Sequence, residues 1–156
     1  MEPFKPDQTD IGILRLLQED GKMPYKELAE KLGKSINPIN ERIKRLKAEG
    51  YISATVALLD LQKLGGTFIA FPHINLTNHL ESTMSLFMAK MVEYPEVMEC
   101  YHLTGHYDFM LKVVMPSMAH YNTFLKEKIT ILPYVGNVQS FLALSEVKRK
   151  MTYPYL

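Results

Sequence analysis

A single cysteine, Cys100, and no tryptophan occur in the 156 residues. One thiol excludes an internal disulfide framework and a cysteine-based zinc finger. No stretch approaches the ~18–20 consecutive apolar residues that a membrane-crossing helix requires. The opening Met1-Glu2-Pro3-Phe4 also lacks the basic-then-apolar order of a secretory leader. Neither a membrane nor export is expected; the expected location is the cytoplasm. An excess of one charge is missing too, with Lys+Arg 18 against Asp+Glu 17, so a supercharged tail is excluded. There is no glycine-rich phosphate loop, because Gly65-Gly66 lacks the strand-loop-helix setting and the lysine. What remains is an ordinary globular composition, 47% hydrophobic and 22% charged, suited to one or two small domains.

The balanced charge is unevenly spread. Residues 1–60 hold ten basic and ten acidic side chains, yet 31–47 carries Lys31, Lys34, Arg42, Lys44, Arg45 and Lys47 against Glu41 alone. From about Leu61 the chain is poorer in charge and rich in Met, Phe, Tyr and Val. The change falls near Gly65-Gly66, a natural hinge, and divides the chain into domains 1–60 and 61–156.

The first domain reads as three short helices and a linker strand. Asp7 caps a helix with Ile11, Leu14 and Leu17 at helical spacing, ending near Glu19-Asp20-Gly21. Pro24 opens a second, with Leu28, Ala29 and Leu32 inward and Gly33 as terminator. Ser35 caps a third that runs to Gly50, with Pro38 in its first turn, where a missing N–H costs little. Ile36, Ile39, Ile43 and Leu46 share one side of it; Asn37, Glu41, Lys44 and Arg45 share the other, flanked by Asn40 and Arg42. A tight two-helix corner followed by a basic, amide-bearing face describes a helix-turn-helix, although any three-helix bundle would show the same apolar period. The concentration of positive charge on the helix after the corner favours DNA over the bundle reading.

The second domain alternates between strand and helix. Thr67–Leu76 reads as a strand, Leu80–Glu93 as a helix with Met84, Phe87, Met88 and Met91 in a stripe, and Glu96–Thr104 with Tyr107–Met115 as a hairpin. A helix from Pro116-Ser117 carries Met118, Tyr121, Phe124 and Leu125, and Val138–Val147 supplies the last strand. This order is a ferredoxin-like βαββαβ, giving an α+β chain overall. Both side-chain sets of several strands are apolar: Val97 and Tyr101 against Met98 and Cys100, Phe109 and Leu111 against Met110 and Val114. Helices cover one sheet face, so the other needs a second chain, and at least a homodimer is expected.

Residues of chemistry are few. Cys100 and His102 share a strand face, but two ligands make no metal site. Neither a metal, a cofactor nor a catalytic centre is expected. The exception in texture is Thr104-Gly105-His106-Tyr107-Asp108: a turn needs its glycine, not a Tyr-Asp pair beside it. A carboxylate next to exposed backbone amides could hold a free amino acid, and a plain turn is the equal alternative.

The pattern Asp7-x-x-Asp10-x-x-Ile13-Leu14-x-x-Leu17, then Glu27-Leu28-Ala29, Ser35, Arg42-Ile43-x-x-Leu46 and Gly50-Tyr51-Ile52, resembles the Lrp/AsnC (feast/famine) transcription regulators. The second half is similar to their effector-binding domain, including Thr104–Asp108. Two departures stand out: proline is delayed to Pro38 in the third helix, and Val138-Gln139-Ser140 stands where many members have Thr-x-Thr.

The resemblance implies a winged-helix-like, sequence-specific regulator of double-stranded DNA, dimeric and assembling as an octamer of four dimers, that answers to a small amino acid. Asn37, Asn40, Glu41 and Lys44 are expected near bases, with Lys34, Ser35, Arg42 and Arg45 nearer phosphates. The effector site is expected at Gly105, His106, Tyr107 and Asp108, with Gly136, Gln139 and Ser140 around the start of the last strand. Asp108 would take the ammonium, and backbone amides near Gly105 and Gly136 the carboxylate. Methionine or leucine is the first expectation, since Val138 replaces a hydroxyl. Two alternatives share the fold: a sirohaem-decarboxylase-like enzyme using His102 and His106, and an amino-acid sensor without DNA binding.

Overall fold

The computed structural model describes residues 4–61 and 63–154. They fall into two compact units. One runs to Leu59 and takes in the segment from Lys148; the other is Asp60–Val147. The return of the last residues to the first unit differs from the expected division at residue 60.

The first unit comprises α1 (Gln8–Glu19), α2 (Tyr25–Leu32) and α3 (Ile36–Ala48). A reciprocal capping box starts α1: the Asp7 carboxylate accepts from Asp10 N–H at 2.9 Å, and Asp10 accepts from Asp7 N–H at 3.1 Å. Gly33 ends α2 in the left-handed region at φ 62°, which a side-chain-bearing residue adopts only under strain. The core is Ile13, Met23, Leu28, Ala29, Ile39, Ile43 and Leu46. Burial of each large aliphatic here contributes on the order of 1.5–3 kcal/mol.

Several details differ from the sequence reading. In α1 the fully buried apolar residue is Ile13, with Ile11, Leu14 and Leu17 half-buried. Ile36 is 47% exposed, because it begins α3 at the corner, beyond the core stripe. Ser35 has the extended backbone of a cap but makes no side-chain capping bond. The reason is local: one N–H that such a cap would normally engage, three residues on, belongs to Pro38 and does not exist. The expected linker strand is also absent from the described residues, since 53–60 enters no ladder.

The second unit has the expected order β1 (Phe68–Leu76), α4 (Glu81–Glu93), β2 (Val97–His102), β3 (Phe109–Met115), α5 (Met118–Phe124) and β4 (Val135–Leu142). A π-helical turn, Leu125–Ile129, prolongs α5. The sheet order is β2-β3-β1-β4, antiparallel throughout, so two crossing connections place both helices against one face. Ala70, Ile74, Phe109, Leu111 and Val113 point into that helix-covered core with Phe87, Met91, Tyr121, Phe124 and Ile129. Met88 and Met118, expected in the stripes, are 41% and 45% exposed.

The opposite face carries Ile69, Phe71, His73 and Asn75 of β1 beside Met110 and Val114 of β3 and Gln139 and Phe141 of β4. No element of the unit lies over it among the described residues. Ile69, Phe71, Met110 and Val114 are half-buried on it, and Phe141 is 46% exposed.

Candidate functional site

The first site is α3. Asn37, Glu41 and Lys44 are exposed along one flank with Asn40 half-buried beside them, and Lys34 and Ser35 are exposed at the corner. Lys44 Nζ lies 2.9 Å from Glu41 Oε1, a solvent pair one turn apart that DNA could readily exchange.

The other flank is committed inward. Asp10 is fully buried, and Arg42 Nη1 reaches its Oδ1 at 2.8 Å and Asp7 Oδ2 at 2.6 Å. Arg45 Nη2 reaches Asp10 Oδ2 at 3.1 Å, and its guanidinium carbon lies 4.4 Å from the centre of the Phe4 ring. A buried carboxylate held by two guanidiniums ties α1 to α3. The same contacts raise the Arg42 pKa, chiefly through its hydrogen bonds to Asp10 and Asp7, and lower that of Asp7, chiefly through the Asp10 N–H and then Arg42. Arg42 and Arg45, expected at phosphates, are both engaged with Asp10 in this structure. At about 100° per residue, Arg45 sits about 80–100° and Arg42 about 140–160° round the helix from Asn37 and Lys44, and both reach Asp10 of α1.

The second site is the hairpin end of the uncovered sheet face. Gly105 makes the β2–β3 turn at φ 116°, a conformation that strains any L side chain. Asn75 Nδ2 donates to the His106 carbonyl at 2.6 Å, fastening the turn to β1. Gly136 lies in β4 where the register against β1 shifts between Asn75 and Leu76. Tyr107 donates its hydroxyl to Gln139 Oε1, and its ring packs edge-on against His73 and His106 at 5.0 and 4.8 Å. His73 also meets Phe141 at 4.9 Å. Its Nδ1 lies 3.0 Å from the Phe71 carbonyl oxygen, which only accepts, so Nδ1 is the donor of that bond.

Two residues expected around the effector have protein partners here. Asp108 does not present a free carboxylate: Oδ2 accepts from Leu76 N–H at 2.7 Å, and Oδ1 lies 2.8 Å from His79 Nε2. It holds the hairpin to the end of β1, so an ammonium would have to displace His79. Ser140 points away from Gln139, as strand alternation requires, and accepts the Tyr121 hydroxyl on the helix side. Burial pushes the Tyr121 phenol up, with Ser140 opposing, so it remains a donor. His102 stacks on the core residue Phe109, whereas His106 serves Tyr107. Among the described residues no group of three or more His, Cys, Asp or Glu side chains is placed to hold a metal, and no helix is long and apolar enough to cross a membrane.

Residues 69–153 match the Lrp/AsnC ligand binding domain, and residues 6–53 match the winged helix-turn-helix DNA-binding family. The chain belongs to the Lrp/AsnC family. It is similar to the Bkd operon transcriptional regulator of Pseudomonas aeruginosa, 35% identical over 95% of this chain and 97% of that one. The Proline dehydrogenase transcriptional activator of Rhizobium radiobacter is 38% identical over 91% of each. Among solved structures, a Neisseria meningitidis transcriptional regulator in complex with L-Met superposes with TM-score 0.86 at 29% identity, covering 96% of this chain and 97% of the other.

In this Lrp/AsnC chain, sequence reasoning missed four residues. Asp10 appears only as a motif position, though a carboxylate at a core-facing position three residues after a cap is a signal for a buried cation partner. His73 and Phe141 emerge only when β1 and β4 are paired, since their sequence separation hides the shared face. Asn75 carries no signal beyond its place at a strand end.

Proposed function

We propose that this chain is a sequence-specific, cytoplasmic transcriptional regulator that binds double-stranded DNA through α3 and responds to a free amino acid through the second unit. The carrying observation is the split of α3: one flank is tied to Asp10, leaving Asn37, Asn40, Glu41 and Lys44 as an outward row of amides and charges suited to base edges. Lys34 and Ser35 at the corner are suited to phosphates.

The effector would sit at Gly105, His106, Tyr107, Gly136 and Gln139. His73 and Phe141 would add an aromatic wall, with Asp108 acting as a positioning residue. An apolar amino acid such as methionine or leucine fits this lining; the L-Met complex of the Neisseria relative supports the class. The uncovered apolar face supports a homodimer, and four dimers an octamer, so that effector binding shifts the spacing of the DNA-binding units. Assembly also supplies affinity, because linked heads reinforce one another on one duplex.

Selection of genomic fragments, followed by calorimetry with the common amino acids, tests this reading. Retained fragments sharing a sequence and heat from one apolar amino acid are expected. Sedimentation should give no 18.0 kDa species at micromolar concentration. A monomer that retains no fragment contradicts the proposal.

A further inference from the structure

The segment after β4 ends against the DNA-binding unit. Tyr153 is clamped to the last turn of α1: its N–H donates to Gln18 Oε1 at 2.8 Å, and its carbonyl accepts from Gln18 Nε2 at 3.1 Å. One side-chain amide thus engages both backbone groups of a single residue, as a neighbouring strand would. The Thr152 hydroxyl oxygen beside it is buried.

Immediately before this clamp come Lys148, Arg149 and Lys150. All three are exposed, and none forms an ion pair among the described residues. This is the opposite of Arg42 and Arg45, whose charge faces Asp10. The effect on the charge balance is large. To Leu59 the chain carries ten basic and nine acidic side chains; with the triplet the count is thirteen against nine. Asp60–Val147 holds five basic and eight acidic. The returning segment therefore makes the DNA-binding unit clearly positive while the ligand-binding unit is negative.

We propose that Lys148-Arg149-Lys150 is a second DNA contact, a basic strap held on the first unit by the Gln18–Tyr153 clamp and bound to phosphates beside the site read by α3. It rests on the reading that the first unit binds DNA. From Tyr153 to Lys148 the chain spans at most about 17 Å when extended. The charges therefore stay near the end of α1 and the start of α2, where Lys22 and Lys26 are also exposed. Consecutive cations on an irregular segment lack the fixed geometry for base edges, so the strap strengthens binding to every sequence alike.

The test uses the full chain with Lys148→Gln, Arg149→Gln and Lys150→Gln combined, titrated by fluorescence anisotropy at several salt concentrations. The probes are a genomic fragment retained by the wild type and a random-sequence duplex. Loss of about tenfold or more on both, by a common factor, is expected. The salt slope should fall by up to about 2.7 per protomer, at ~0.9 per phosphate contact. Gln18→Leu, which frees the clamp and keeps the charges, should lose part of the same affinity; its sedimentation and that of the triple variant should match the wild type. Unchanged affinity and slope in the triple variant overturn the strap while leaving α3 as the DNA reader. A loss confined to the genomic fragment overturns it equally, since that is sequence reading. A wild type that retains no genomic fragment from which to make the first probe removes the DNA reading itself.

Discussion

The two flanks of α3 carry the same kinds of side chain and do different work. Arg42 and Arg45 face a buried carboxylate and hold two helices together, whereas Lys44, one residue from Arg45, pairs only with Glu41 in solvent. The sheet repeats the pattern: Ser140 serves the core through Tyr121, while Gln139 serves the open face through Tyr107. Charge or polarity counted along a chain overstates what is available to a ligand, because helical and strand periods assign adjacent residues to opposite jobs. In the first unit this leaves fewer free cations than the run 31–47 suggests, and the exposed triplet near the C-terminus redresses the deficit.

The largest expected effect comes from the centre of the inward flank. Asp10→Ala removes the buried acceptor of two guanidiniums and of the Asp7 N–H and should destabilise the first unit by about 1.5–3 kcal/mol. Hydrogen exchange should show protection lost in α1 and α3 but kept in β1 and β3. Loss of protection in both units alike would erase the contrast.

Separating Lys44 from Arg45 sharpens it further. Lys44→Ala should weaken DNA binding about tenfold, the scale of one good base or phosphate contact, with unchanged melting. Arg45→Ala should instead lower the melting temperature of the first unit. Equal effects of the two variants on both readouts would mean that the flanks are not distinct.

Acidification probes the same network. The Asp7 carboxyl is lowered, so its contribution is complete above the ordinary aspartate value and is lost as pH falls through the lowered folded value. Below about pH 4 the first unit should therefore loosen, and Asp7→Ala should flatten that dependence. Denaturant melts across pH check this.

On the sheet, Gln139→Ala should weaken the amino acid several-fold by calorimetry. Ser140→Ala should leave it bound but cost about 1 kcal/mol of stability, because the Tyr121 hydroxyl loses its acceptor. Smallest of all, Pro38→Ala should change melting by under about 0.5 kcal/mol, since the proline occupies the first turn of α3.

What could be read from the sequence was whatever short-range periodicity encodes. The three helices, the Gly33 corner and the βαββαβ order follow from apolar spacing and turn residues, and they emerge as expected. Pro38 shows the limit of local rules: Ser35 looks like a cap until the missing N–H is counted. Long-range pairing was illegible. Nothing near Arg42 reveals that Asp10, 32 residues away, claims its charge, and nothing near Asp108 reveals His79. The return of Tyr153 to Gln18 spans 135 positions and has no local signature. The hairpin stands out in the sequence by its composition, yet the partners of each residue in it depend on the strands it meets.

The account stands most directly on the outward row of α3. Wild-type and Lys44→Ala proteins, both shown to be folded and equally assembled, should be used to select fragments from genomic DNA under one salt condition. The wild type should enrich fragments that share a short sequence repeated at intervals of about 10 base pairs or multiples of it, and Lys44→Ala should lose that enrichment. Recovery of the same fragments by both proteins, or no enrichment over input by the wild type, would contradict the central claim.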